Sequence, residues 1–417
     1  VTDILDLLPA HLVARAAALD AADPLAEHRS AFVLPEGVVA YLDGNSLGRP
    51  LASTAERLRG FVDTEWGERL IRSWDERWMT RPTELGDLIG RAALGAAPGQ
   101  TVVADSTTVL LYKLARAGVA ARPGRTEIVA DSENFPTDRF VLEGIAAERG
   151  LTMRWIRPDP ATGVTLEEVE AVIGEQTALV ALSHVAYKSA HVADLPGITA
   201  AVHRAGALVL WDLSHSVGSV EVDLDAAGVD LAAGCTYKYL NGGPGAPAFA
   251  YVNAALQDEV TQPIAGWMGH ADPFAMGEGY EPAQGIRRFI SGTPPILGML
   301  PLEDMARLVE RVGIRAVRAK SMDLTAFAIE VADEALAPLG VSVASPRDPD
   351  QRGGHVTLEH PAMASVVAEL WRRGVVPDFR PPMGLRAGMS PLSTSFTEVA
   401  VALAHVAELL AGERPGG

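Results

Sequence analysis

The sequence predicts an α/β fold: a large domain on a mostly parallel sheet, followed by a smaller C-terminal α/β domain. Three observations predict it: short apolar runs of strand length recur through the middle of the chain, helical stretches separate them, and the texture changes at about Pro295. The runs are TVVAD, ending at Asp105, EIVADSENF from Glu127, TALVALSH from Thr177, ALVLWDLSH from Ala207 and VDLAAGCTYK from Val229. Stretches such as TTVLLYKLARAG and LPGITAAVHRAG fall between them with helical patterning. That alternation is the signature of βαβ units. Beyond Pro295, EDMARLVERVGIRAVRAKSMDLTAFAIEVADEAL reads as one long amphipathic helix. Short strands near GGHVTLEH and VVPDFR and a last helix, TEVAVALAHVAELLAG, follow. The expected division is an N-terminal arm over 1–50 that contributes to the small domain and the active site, a large domain over 51–295 and a small domain over 296–417.

Composition narrows the function. A chain of 417 residues, 48% hydrophobic, has ample material for a core. Its net charge of −18 argues against nucleic acid or anionic membrane as a partner. The first 25 residues carry acids and break their apolar positions at helical spacing, unlike a secretory signal, and no run of about 18 apolar residues marks a membrane helix. The single cysteine, Cys235, rules out an intramolecular disulfide and any Cys-rich metal site. No metal is expected, and a reducing cytoplasm fits.

In doubly wound sheets ligands bind beyond the carboxyl ends of the strands. The residues closing the five runs are Asp105-Ser106-Thr107-Thr108, Phe135-Pro136-Thr137-Asp138, Ser183-His184, Asp212-Leu213-Ser214-His215 and Tyr237-Lys238. Each of the five ends carries polar residues whose chemistry suits one shared site. Asp212 follows ALVLW, at the rim of a buried region where an unpaired carboxylate is costly. It reads either as a helix cap or as the acidic partner of a protonated ring nitrogen, the pairing that pyridoxal phosphate requires together with a Schiff-base lysine. His215, three residues on, is placed to stack on or hydrogen-bond to such a ring.

Lysines are scarce: four among 35 lysines and arginines, namely Lys113, Lys188, Lys238 and Lys320. Lysine can shed its proton and act as a nucleophile, which arginine in practice cannot. Lys238 stands 26 positions after Asp212, between Tyr237 and the turn NGGPG. One crossover and one strand bring it to the same sheet edge, where loss of hydration favours a usable amine. Ser106, Thr107 and Thr108 open a helix, so they read as an ordinary N-cap or, with the other strand ends, as a phosphate cup. No glycine fingerprint of a nucleotide-binding loop competes.

With those residues assembled, the sequence resembles the kynureninases, pyridoxal-phosphate enzymes of the aspartate-aminotransferase-like fold, fold type I. The stretches that carry the resemblance are YLDGNSLG (41–48), IRSWDERW (71–78), FPTD (135–138), DLSHSVG (212–218), GCTYKYLNGGPGAPAF (234–249), GWMGHADPFAM (266–276), GIRRFISGTPPIL (285–297) and DFRPPMGLRAGMSPL (378–392). They cover nearly the whole chain.

The resemblance implies that Lys238 carries the cofactor as an imine, with Tyr237 beside it at the phosphate. It implies Asp212 at the pyridine nitrogen, Phe135 stacked on the ring, and Asp138 and His215 at its polar edge. Thr107, Thr108 and Ser183 would line the cofactor, and Trp267 and Thr293 of a partner subunit would complete the phosphate site of a homodimer. Arg386 would grip the substrate carboxylate, a task suited to a planar bidentate donor. Ser46, Trp74 and Gly292 are the other substrate-side positions. The implied reaction is hydrolysis of the Cβ–Cγ bond of L-kynurenine to anthranilate and L-alanine, with water adding to the γ-carbonyl, as in tryptophan catabolism.

Four positions depart from the family pattern: Leu110 where Asn is common, Ala186 and Ala190 within HVAYKSA, and Ser393 where Tyr is frequent. They bear on substrate shape, so the alternative is a relative acting on a ring-modified kynurenine, such as the 3-hydroxy compound, or another amino acid. Trp74, Gly292 and Thr293 follow the pattern for the unsubstituted substrate. A cysteine desulfurase is disfavoured because Cys235 falls three residues before the lysine and not on a mobile loop. A non-catalytic binding protein is disfavoured because Lys238 and Asp212 are both present.

Overall fold

The computed structural model describes residues 2–412. A seven-stranded sheet forms its larger half. In chain order the strands are β2 (Thr101–Ala104), β3 (Glu127–Asp131), β4 (Thr152–Ile156), β5 (Thr177–Ser183), β6 (Leu208–Asp212), β7 (Leu231–Gly234) and β8 (Ala248–Val252), with β1 (Ala40–Leu42) belonging elsewhere. The spatial order is β2-β8-β7-β6-β5-β3-β4, and only β8 runs antiparallel to its neighbours. The parallel sheet expected from the sequence is therefore present.

The central strands are apolar throughout because helices cover both faces. Successive residues point to opposite sides. Val129, Val180, Val209 and Trp211 enter one core with the helix Leu195–Arg204, while Ile128, Leu179, Leu208 and Leu231 enter the other against the helices Thr107–Ala120 and Pro136–Arg149. The Trp211 indole is satisfied inside, donating to Thr199 Oγ1 at 3.1 Å.

The second sheet has five strands in the order β1-β11-β12-β10-β9, comprising β9 (Ser342–Val343), β10 (His355–Glu359), β11 (Val375–Arg380) and β12 (Gly384–Gly388) beside β1. β1 joins it in parallel with β11, pairing Ala40 with Val375. The helices Ala10–Ala22, Ile314–Val331 and Phe396–Gly412 share its core. Two polar ties hold the N-terminal arm there. The buried Asp23 pairs with the buried Lys320 at 2.7 Å, and Asp20 accepts the amides of Phe396 and Thr397 at 2.9 Å each, capping the last helix.

Several elements differ from the sequence reading. The long helix after Pro295 is two, Ile296–Val312 and Ile314–Val331, because Gly313 takes φ +86° between them. The first packs on the large-sheet core and the second reaches the small-sheet core. The strand carrying Lys238 stops at Gly234, so Cys235 and Lys238 stand on the loop beyond it. Strands β1, β4, β8, β9 and β12 are absent from the sequence reading. β4 is an edge strand whose residues alternate outward, diluting its apolar signal. Among the described residues, no helix is long and apolar enough to cross a membrane.

Candidate active site

Strands β3, β5, β6 and β7 end side by side, and β2, doubly reversed through β8, ends at the same edge. This topology brings the polar strand ends together. Lys238 Nζ lies 3.3 Å from both ring nitrogens of His215 and 5.9 Å from the centroid of the Phe135 ring. Asp212 is buried. Its Oδ1 accepts the Ser214 amide at 2.8 Å, and Ser183 Oγ lies 3.4 Å from its Oδ2 while donating to Asn134 Oδ1 at 2.7 Å.

Electrostatics here follow burial. Asp138 sits beside Asp212, and burial, then the neighbouring Asp212 charge, hold its carboxyl far above the usual range. His215 is kept neutral by burial and by the Lys238 charge. Tyr237 stays a phenol, pushed up by burial first and Cys235 second. The Cys235 thiol is buried and also raised by burial, with its Sγ 3.8 Å from the Ser214 carbonyl. A thiol so placed is structural.

The helix Thr107–Ala120 begins where the sequence suggested, but Ser106 makes no side-chain cap. Its first N–H groups and the hydroxyls of Thr107 and Thr108 therefore remain available for an anion. Thr107 is half-buried and Thr108 exposed.

The residues expected on the substrate side come from other elements. Arg386 on β12 faces Asp378 on β11 in register. Its Nε and Nη2 both donate to Asp378 Oδ2, the former at 2.8 Å. Nη1 donates to the Tyr187 carbonyl at 2.6 Å, and Nη2 reaches Ser46 Oγ at 3.2 Å. One of its five N–H groups is left without a partner in that set. Nearby, burial raises the Asp43 carboxyl to about 6, against the Ser46 hydrogen bond that lowers it.

These contacts close a ring. Lys238 faces Phe135, and Phe135 meets the edge of Tyr187 at 5.4 Å. The Tyr187 carbonyl holds Arg386, Arg386 holds Ser46, and Gly48, two residues on, donates its amide to the Tyr237 carbonyl at 2.8 Å, beside Lys238. The arm, both sheets and the 184–191 segment thus meet around one space.

Other expected positions stand away from the ring. Trp267, Gly292 and Thr293 are exposed at the surface, without a hydrogen bond to the Lys238 group. Trp74 is half-buried, packing edge-on against Trp78 at 5.3 Å. Of the departures, Leu110 is a core residue, Ala186 lines a pocket with Asn134, Ser183 and Tyr187, Ala190 adopts the left-handed φ of +66°, and the Ser393 backbone carbonyl accepts from Arg49 Nη1 at 3.0 Å. The sequence reading missed Asn134, Asp43, Asp378 and His355. His355, whose ring is 5.8 Å from that of His215, was signalled only by its place in GGHVTLEH.

The lysine, the acid and the open helix terminus stand at the edge of a sheet with the fold of the type I pyridoxal-phosphate enzymes. The chain superposes on the apo cysteine desulfurase of Thermococcus onnurineus NA1 with a TM-score of 0.80, 21% identity, and coverage of 93% of this chain and 98% of that one. A variant of C-DES with glycine covalently linked to its pyridoxal-phosphate cofactor gives 0.76 at 19% identity, covering 89% and 96%. Sequence comparison is more specific. The kynureninase of Pseudomonas fluorescens is 42% identical over 401 residues, 94% of each chain. That of Burkholderia pseudomallei (strain 1106a) is 40% identical over 402 residues, 95% of this chain and 94% of the relative. A family model described as the kynureninase C-terminal domain matches residues 317–406. The chain belongs to the kynureninase family.

Proposed function

We propose that the protein is a pyridoxal-phosphate-dependent hydrolase that cleaves the Cβ–Cγ bond of L-kynurenine to anthranilate and L-alanine. The observation that carries this reading is the closed ring joining Lys238, Phe135 and Arg386 in a chain 42% identical to a kynureninase. The donor set fits the cofactor. Lys238 offers an amine for its aldehyde, Phe135 a ring face, Asp212 an anion for its pyridine nitrogen, and the uncapped helix at Thr107 and Thr108 a seat for its phosphate. When bound, the cofactor supplies an electron sink for the pair left on the amino-acid carbon.

The chain's own groups do the rest. Arg386, fixed by Asp378 and the Tyr187 carbonyl, receives the substrate carboxylate through its remaining N–H and the position now held by Ser46. Lys238 Nζ takes the Cα proton and returns protons later, general acid–base work for a movable amine. His215, neutral beside it, accepts from that amine without competing as a cation. Burial and the adjacent Asp212 favour the protonated form of the Asp138 carboxyl. Tyr237, kept a phenol by burial, offers its O–H as a hydrogen-bond donor at the phosphate side.

Trp267 and Thr293 belong, in this reading, to the partner's site in a homodimer. Support comes from their exposure in the single chain, together with the exposed Ile264, Phe274, Met276 and Leu297 around them. Trp74 and Gly292 are assigned to the aryl end of the substrate. The proposed functional division is 1–50, 51–295 and 296–417, with the helix Ile296–Val312 of the last segment packing back on the large-sheet core. A free, buried Cys235 suits a reducing cytoplasm. The test is incubation of cofactor-loaded protein with kynurenine and 3-hydroxykynurenine. Fluorescent anthranilate is the expected product, and its absence from a protein that shows the cofactor's absorption band would defeat the substrate assignment.

A further inference from the structure

Lys113 is fully buried in the middle of the helix Thr107–Ala120. Its Nζ reaches in two directions. One contact is the carboxylate of Asp105, the residue just before the Ser106–Thr108 turn; the other is the Phe289 carbonyl at 2.8 Å. Asp105 itself sits at φ +48°, its carbonyl accepting the Ala248 amide at 3.0 Å. A methionine would fill the same space without the cost of desolvating a cation, so what lysine adds is two directed bonds.

The far end of that tie leads to the exposed positions. Phe289 is buried, and two residues on, Ser291 accepts the Met268 amide at 3.2 Å while its Oγ donates to the Ile264 carbonyl at 3.2 Å. A Cβ on Gly266 would come within 2.1 Å of the Ser291 carbonyl oxygen, so only glycine lets these segments lie this close. Trp267 and Thr293 therefore ride on one zipped unit, and Lys113 fastens that unit beneath the phosphate cup.

We propose that Lys113 is a positioning residue that couples the phosphate cup of its own subunit to the Trp267–Thr293 unit completing the partner's cofactor site. This rests on the homodimer reading above. Each cup then senses, through one buried cation, the placement of the loops serving the other.

Hybrid dimers test it. In the reference hybrid, one subunit is wild type and the other carries Lys238→Ala, so a single site traps reducible cofactor. Lys113→Met added to the Lys238→Ala subunit alters that subunit's own cup, whose site is already disabled, and reaches the intact site only through the loops lent to it. The expected result is an apparent Kd for pyridoxal phosphate at that site weaker by about 10-fold, the equivalent of one hydrogen bond, with pyridoxal, which lacks the phosphate, unaffected. Asp105→Asn in the same subunit preserves core volume and should shift the affinity the same way, which covers a failure of Lys113→Met to fold. Unchanged pyridoxal-phosphate affinity in a dimer, or an equal loss for pyridoxal, overturns the coupling alone. A monomeric mass by light scattering overturns both the coupling and the dimer reading.

Discussion

Arg386→Lys is the most informative single change, because the magnitude can be worked from its surroundings. Arg386 spends four hydrogen bonds on Asp378, Tyr187 and Ser46. A substrate carboxylate is left the unused N–H and the one it can win from Ser46, two charge-assisted bonds at most. Lysine keeps the charge but cannot fork, so about one such bond is lost, on the order of 1.5–3 kcal/mol. That corresponds to roughly a 10- to 150-fold fall in kcat/KM. Asp378 is not orphaned by the change, since Arg380 Nε lies 2.9 Å from its Oδ2. The assay is anthranilate release from kynurenine and from its α-carboxamide, with wild type and variant, closing a double cycle. Wild type should discriminate strongly between them and the variant weakly. Equal losses for both substrates would show that Arg386 does not read the carboxylate and would refute the assignment.

Other outcomes follow from the same contacts. Lys238→Ala should leave no borohydride-stable cofactor adduct by mass spectrometry; an adduct that persists would place the imine elsewhere. Asp23→Asn leaves a cation buried beside it at Lys320 and should cost about 3–5 kcal/mol, whereas Asp23→Asn with Lys320→Met should cost far less; additive losses in urea unfolding would contradict a coupled pair. Asp43 has its folded-state carboxyl raised from 3.8 to about 6, so the native state binds the extra proton and this contribution to stability, complete below about pH 4, is lost as pH rises through 6. Asp43→Asn should therefore lose stability less steeply than wild type between pH 4 and 7, and parallel pH–stability curves would exclude the titration.

Much of the site was legible because strand ends announce themselves. An apolar run that stops at Ser183 or Asp212 marks both the strand and its functional edge, and Lys238 stood out by rarity. The strand length did not follow: GCTYK continues the apolar run in composition, yet Gly234 ends the ladder and the backbone bends over 236–238. The partners that aim these groups were not legible, since Asp378 meets Arg386 through cross-strand register and Asn134 meets Ser183 across 49 positions. Gly313 lay inside a periodic pattern that hides a break, and β4 alternates too weakly to read as a strand.

The small sheet borrows its edge strand from the opposite end of the chain: Ala40 pairs with Val375, 335 residues later. On a ribosome adding roughly 5–20 residues per second, β1 waits about 15–70 s for its partner to be made. The seven strands of the large sheet emerge and can pair during that interval. The arm bearing Asp43, Ser46 and Gly48 can dock only once β11 has been made. A translating chain is thus expected to hold a nearly finished cofactor sheet well before it can hold a substrate.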